Sequence, residues 1–328
     1  MSRTVVLTGA SAGVGRATAR MLAARGDRVA LIARSTVQLE ATAQEVRAAG
    51  GTPLVLPCDV ADAGAVEAAA QRAEDELGPI DVWVNGAMTA VLKRVHETTP
   101  EEFARVAQVN YLGAVHGTLA ALARMRPRDR GTIVQVGSAL SYRAIPLQAT
   151  YCASKFAMRG FTDALRVELL EEGSSIRVTM VQLPGLNTPQ FTWVRTSLRR
   201  RPKPVAPFFQ PELAADAILH AIEHPNREHW VGGNTAVIIA ADKLAPRAAD
   251  LYLARTNVEG QQDDTAIDPD AREDYVFSPV EEDRGAHGPY DDEAETGSRQ
   301  WRAAKALDRV TGPPARALSA LARRVVAR

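Results

Sequence analysis

Two cysteines, Cys58 and Cys152, are all that this chain of 328 residues contains, and they stand far apart. They form neither a disulfide framework nor a metal-ligand spacing. No metal site is read from the sequence, and a reducing, cytoplasmic setting is the expectation. Aromatic residues are scarce at 5%. Basic and acidic residues number 39 each, so no net charge builds a field for nucleic acid or an anionic membrane. No run approaches the ~18 apolar residues of a membrane-spanning helix. The start, "MSRTVVLTGA", enters an apolar strand directly and has no signal-peptide pattern. What is present, 46% hydrophobic and 24% charged residues, suits a globular fold of one large domain or two ordinary ones.

The first two-thirds alternates short β-branched runs with longer Ala-rich segments. Strands are expected at 4–9, 28–33, 52–58, 80–85, 131–137, 176–182 and 228–232. They are apolar almost throughout, as strands covered on both faces are. Helices are expected at 14–25, 36–49, 62–77, 101–125, 150–172 and 211–223. The repeated βαβ order predicts an α/β fold: a doubly wound parallel sheet with helices on both faces. Ligands in such folds sit beyond the C-terminal strand ends. One domain is expected over 1–258. Within it, 186–210 ("LNTPQFTWVRTSLRRRPKPVAPFFQ") is too long for a plain connection and is read as a substrate loop. Residues 259–298 are acidic and poor in aliphatics, read as an extended or disordered tail or a segment wrapped over the domain. Residues 299–328 are basic and Ala-rich. Leu318, Leu321 and Val325 would form an apolar stripe with Arg316, Arg323 and Arg324 around it. Such a helix suits a membrane surface, its own domain, or neither.

"TGASAGVG" (8–15) leaves the first strand and opens the first helix. Gly9, Gly13 and Gly15 remove Cβ atoms that would block a tight turn and a phosphate. The helix start offers free N–H groups and a positive dipole end. Ordinary turns also use glycine; the strand before and the helix after single out a pyrophosphate cradle, which includes Ser11 and Val14. At the end of the second strand an acid would bond the adenosine ribose. Here "ALIARS" puts Ala33 in that place, followed by Arg34 and Ser35. An arginine there pairs with a 2′-phosphate, so NADP(H) is expected ahead of NAD(H). The plainer reading of Arg34 is a strand-end residue facing water. Asp59 is placed to accept from an adenine amino group and Val60 to pack on its ring, although "DVAD" also suits a cap or turn. Asn85 and Gly86, after the fourth strand, would admit and orient a ligand.

Ser138 ends the fifth strand, Tyr151 opens the next helix, and Lys155 follows one turn later. Asn110 lies in the long helical segment before them. With "TGASAGVG" and "NGA" (85–87), these residues resemble the short-chain dehydrogenase/reductase superfamily, in its single-domain branch, over about residues 3–240. The resemblance implies that Tyr151 exchanges a proton with the substrate oxygen. It implies that Lys155 lowers the phenol's pKa and bonds the nicotinamide ribose, that Ser138 holds the substrate oxygen, and that Asn110 holds a water in a proton relay. It also places Pro184, Gly185 and Thr188 beside the nicotinamide carboxamide. Here "LPGLNTPQF" is one residue shorter than the family's usual Pro-Gly-x-Val-x-Thr.

The substrate wall is expected from Leu140, Leu147, Gln148, Leu186, Phe191 and Trp193, with Met88 and Leu92 beside them. These suggest a mainly apolar ketone or aldehyde. The cluster Arg195, Arg199, Arg200 and Arg201 is read as a solvated face rather than an anion lure. The contrasting reading is a regulatory protein that binds NADP(H) without turnover. The resemblance further implies a homodimer or homotetramer built on the helices at 101–125 and 150–172. It gives no account of the 80–90 residues beyond the domain.

Overall fold

A computed structural model describes residues 2–311. The end of the basic segment, with Leu318, Leu321 and Val325, lies outside the described residues, and so does the surface-helix reading built on it.

Seven strands form the centre: β1 (Thr4–Thr8), β2 (Arg28–Ala33), β3 (Thr52–Pro57), β4 (Val82–Asn85), β5 (Thr132–Ser138), β6 (Arg177–Leu183) and β7 (Glu228–Trp230). They run β7-β6-β5-β4-β1-β2-β3 across the sheet, and every pair is parallel. The order reverses between β1 and β4. A crevice opens there, beyond Thr8 and Asn85, which pair in register.

The helices are α1 (Gly13–Ala23), α2 (Thr36–Ala48), α3 (Ala63–Leu77), α4 (Pro100–Ala107), α5 (Gly113–Met125), α6 (Ala149–Glu171), α7 (Pro211–Glu223), α8 (Gly233–Leu244), α9 (Pro246–Thr256) and α10 (Arg299–Thr311). Strand alternation divides the core. Val5 and Leu7 face Leu22, Leu39 and Ile218 of α1, α2 and α7; Val6 faces the opposite layer, with Val66, Met125 and Leu165 of α3, α5 and α6. Side chains cap the helix starts: Asp62 accepts from Ala65 N (3.0 Å), and Thr99 and Glu102 form a capping box.

Two features differ from the sequence expectations. The helix over 101–125 is interrupted by a π turn at Gln108–Leu112. Helices α8 and α9 follow β7, where none was expected. The acidic segment is not a loose tail but is wrapped over the domain, the other of its two readings: Tyr275, Val276, Val280 and Tyr290 are buried, while many of its charged residues stay exposed. Short ribbons tie the substrate loop down. Gly185–Leu186 pairs with Phe208–Phe209, Val91–Leu92 with Arg195–Thr196, and Arg200–Pro202 with Gln262–Ala266 of the acidic segment.

The arginine cluster explains that docking and corrects its reading as a solvated face. Arg195 pairs with Asp274 (2.8 Å), Arg201 with Asp263 (2.6 Å), and Arg200 with Glu259. Arg199 receives Ile267 N on its backbone carbonyl (2.9 Å). Lys203 adds a pair with Glu293 (2.5 Å). The neutral total charge thus hides two complementary segments folded onto each other.

Candidate active site

The glycine loop makes the floor of the crevice. Gly9 has φ +75°, and a Cβ on Gly15 would lie 2.0 Å from the Gly9 carbonyl oxygen, so the turn closes only on glycine. Gly9, Ser11, Gly13, Val14 and Gly15 all line one cavity of about 810 Å³. Thr188 closes its side. The Thr188 methyl would stand 3.2 Å from a Cβ on Gly13, so the shortened "LPGLNTP" turn still brings Thr188 to the loop. Pro184 and Gly185 line the same cavity.

At the far end Arg34, Ser35, Asp59, Val60 and Gly86 line the wall, but their polar groups are committed elsewhere. Arg34 does not face water: its guanidinium donates to the carbonyls of Tyr275 and Val276. Burial and the neighbouring Arg105 hold its pKa below the usual value. Ser35 caps α2 through Gln38 N (3.2 Å) and donates to the Glu281 carboxylate (2.6 Å). Asp59 is not free for adenine: it accepts from Ala61 N (3.0 Å) and pairs with Arg105 (2.6 Å). Burial would raise its pKa, but those partners hold it low. Asn85 does not reach the cavity. Its amide bonds Thr118 and Gln135 (3.1 Å each) and accepts from Trp83 (2.8 Å), beneath the strand end.

The reactive trio converges at the other end. Ser138 Oγ accepts from Leu140 N (3.1 Å), which leaves its proton free to donate into the cavity. Tyr151 on α6 stands close enough to Ser138 for that hydroxyl to lower its pKa. Lys155 lies one turn on, 4% exposed, with Nζ 5.6 Å from the Tyr151 ring centre and 2.7 Å from the Val136 carbonyl oxygen. Burial pushes the phenol well above its ordinary value, against the lowering effect of Ser138, and pulls the ammonium down to about 8. The expected lowering of the phenol by Lys155 does not figure here: burial and, against it, Ser138 set the direction. Asn110 sits in the π turn. Its side chain accepts from Thr89 N (2.7 Å) and donates to Thr89 O (2.9 Å) and Ser154 Oγ (3.0 Å). That side-chain amide is taken up in positioning Thr89 and Ser154.

Leu140, Gln148, Leu186, Phe191, Trp193 and Met88 line the cavity, and Gln148 is tethered to Gln261 (2.7 Å). Leu147 and Leu92 are buried behind it: Leu147 has φ +69°, and Leu92 packs against Trp193 and Tyr275. Sequence reasoning missed the rest of this wall. Val237 and Ile238 of α8 and Tyr252 and Leu253 of α9 enclose the substrate end. The acidic segment roofs the crevice. Tyr275 packs with Ala12, Met88, Tyr151 and Trp193, its ring 6.0 Å from that of Trp193. Gly285 O accepts from Gly13 N (3.2 Å), and Asp283 pairs with Arg16. The charge pattern of the arginine loop was the available signal that this segment docks.

A parallel sheet with its glycine turn at the switch point, facing a Ser–Tyr–Lys set, defines a dinucleotide-dependent oxidoreductase. The family sequence pattern for short chain dehydrogenases matches residues 3–198, and the chain belongs to that family. It is 31% identical over 267 residues to the "Uncharacterized oxidoreductase YxnA" of Bacillus subtilis (strain 168), covering 81% of this chain and 75% of the relative. It is 31% identical over 255 residues to the "Fatty acyl-CoA reductase" of Acinetobacter baylyi, covering 77% and 83%. Among solved structures, a metagenomic short-chain oxidoreductase in complex with NADP superposes with a TM-score of 0.59 at 29% identity, over 70% of this chain and 97% of that one. The protein is therefore an oxidoreductase of the family that uses a nicotinamide dinucleotide, which favours the enzyme over the reading without turnover. Among the described residues no helix is long and apolar enough to cross a membrane.

Proposed function

We propose that the protein interconverts a carbonyl and an alcohol, in the direction of NADPH-dependent reduction of a mainly apolar ketone or aldehyde. The observation that carries this reading is the convergence of Ser138, Tyr151 and Lys155 on a cavity whose other end is walled by Arg34. The glycine loop and Thr188 would hold the pyrophosphate, Lys155 the nicotinamide ribose, and Arg34 with Ser35 the 2′-phosphate, in exchange for their contacts to the Tyr275 and Val276 carbonyls and to Glu281. The nicotinamide supplies the hydride and, when oxidised, a positive charge next to the phenol.

Ser138 donates its free proton to the substrate oxygen and stabilises charge that develops there. Tyr151 delivers the proton to that oxygen, and its neutral, raised state suits an acid in reduction. Lys155 keeps the phenol oriented and returns its proton. Asn110 acts by fixing Thr89 and Ser154, hence the start of α6. The apolar side chains of the loop, α8 and α9 would exclude water. A homo-oligomer through α5 and α6 fits the exposed Leu119, Val167 and Leu170 on those helices.

Cofactor titration tests the reading. NADPH should bind much more tightly than NADH to the purified protein, and Arg34→Ala should erase the difference. A screen of apolar ketones and aldehydes follows, with Tyr151→Phe as the inactive control. Equal binding of both dinucleotides, indifferent to Arg34, would end the NADP(H) assignment.

A further inference from the structure

Three of the six histidines fall at 220, 224 and 229, on the side of the sheet that carries α7 and away from the trio. His220 comes from α7 and His229 from the edge strand β7. Asp308 of α10 reaches them from about eighty residues later. His220 Nε2 lies 2.9 Å from Asp308 Oδ2, and His229 Nδ1 lies 3.7 Å from the same oxygen. All three donor atoms fall within 4.8 Å of one another. Tetrahedral zinc with bonds near 2.0 Å sets its ligand atoms about 3.3 Å apart, between the two separations observed.

The tautomer argues the same way. His229 Nε2 is 2.8 Å from the His224 carbonyl oxygen, which can only accept, so Nε2 carries a proton. In the neutral ring Nδ1 then presents a lone pair towards a carboxylate oxygen. Two lone pairs facing each other call for positive charge between them, a metal ion or a proton on Nδ1, and the ligand-like surroundings favour the metal ion. The surroundings match those of metal ligands: a backbone carbonyl fixes one imidazole, and Asn226 Nδ2 donates to Asp308 Oδ1 (3.0 Å), fixing the carboxylate. Trp301 covers both rings edge-on, at 5.3 and 6.0 Å, and is 1% exposed. The imidazoles are 5% and 4% exposed, so the site opens only on the Asp308 side, where a water would complete the set.

We propose that His220, His229 and Asp308 form a binding site for a divalent transition metal of the zinc type, which staples α10 to α7 and β7. Two imidazoles and a carboxylate suit zinc, cobalt(II) or nickel(II) better than magnesium or calcium. The bound ion would fix α10, which directly follows the segment that roofs the crevice, and the proposal is independent of the substrate assignment.

The test uses the full chain, stripped with EDTA, dialysed and titrated with Co²⁺. One equivalent should bind with the strong visible bands of a four- or five-coordinate ion, and Zn²⁺ should displace it. Asp308→Asn keeps the shape on the solvent side of the cluster, and its folding is checked by circular dichroism. It should weaken Co²⁺ binding by more than about tenfold. His287→Ala, which removes the separate exposed contacts of His287 to Glu212 and Asp291, should leave binding unchanged. Hydrogen exchange over 299–311 should slow on Zn²⁺ addition in the wild type and not in Asp308→Asn. No stoichiometric uptake, or uptake indifferent to Asp308→Asn, would overturn the proposal and leave a hydrogen-bonded His–Asp–His cluster.

Discussion

Lys155 is the residue at which function and stability oppose each other most clearly. Its ammonium is buried, and burial brings its pKa down from 10.5 to about 8. Below pH 8 the folded protein carries a charge that the unfolded chain solvates better, a cost of order 3 kcal/mol by the size of that shift. The group's folded pKa lies under its unfolded value, so the cost fades as pH rises from 8 to 10.5. Lys155→Met should therefore raise the melting temperature at pH 7 by a few degrees while turnover falls by orders of magnitude. The penalty should shrink when melting is repeated near pH 10, and a melting temperature that drops at pH 7 would refute the argument. Glu281 offers a second residue-scale test. Its carboxylate accepts from Ser35, beside the wall assigned to the 2′-phosphate, and repels that phosphate. Glu281→Gln should tighten NADPH by roughly three- to tenfold, the worth of one partly screened charge, with little change for NADH. Fluorescence titration of both dinucleotides reads the difference.

The acidic segment is the element whose docking responds to pH. Burial pushes the carboxyls of Asp263, Asp283 and Asp291 up, but hydrogen bonds hold all three below the usual range. Asp263 receives Thr265 N and Arg201, Asp283 receives Arg16, and Asp291 receives His287. Depressed carboxylates stabilise above their unfolded pKa of about 3.9, and that contribution is lost as pH falls through the lower folded values. His287 has the opposite sign. Burial lowers its pKa, but Glu212 and Asp291 outweigh burial and raise it. Its contribution is complete below about 6.5 and is lost as pH rises through the higher folded value. The segment should loosen below about pH 4, ahead of global unfolding, and soften mildly above neutrality. Trp193 reports the event, because the Tyr275 ring and the Arg284 guanidinium lie against it. Its fluorescence, obtained by subtracting the Trp193→Phe signal, should change before the far-ultraviolet circular dichroism does. Coincident transitions would show that the segment and the domain melt as one unit.

At the scale of the whole molecule, what could be read from the sequence follows from how local each signal is. The inner strands of the parallel sheet are continuous apolar runs because both faces are buried, and the glycine turn and the Tyr–Lys pair are short-range patterns. Asn85 was misread although its face was legible: two residues from Trp83, it shares that residue's buried side. The protein partners of Arg34, Ser35 and the arginine cluster were not legible for another reason. They lie 60 to 250 residues later, beyond any periodicity, and a charge run looks solvated until its complement is known. The same long-range contacts make the C-terminal segment part of the domain. Tyr275, Val276, Val280, Tyr290 and Trp301 are all buried, and each such side chain is worth about 1.5–3 kcal/mol. Ordering the segment offsets part of that sum. Its loss also uncovers Trp193, Phe208 and Leu92 and takes an acid from five basic side chains of the loop and α1, of which Arg16 keeps Glu45 and Arg195 keeps Glu102. A chain ending at 258 should therefore melt lower by of order 10 °C and bind a hydrophobic dye strongly. Adding back a peptide of 259–308 should reverse both effects in part. A shortened chain that melts like the full one, with no dye binding, would mean that the segment only rests on a domain that is already complete.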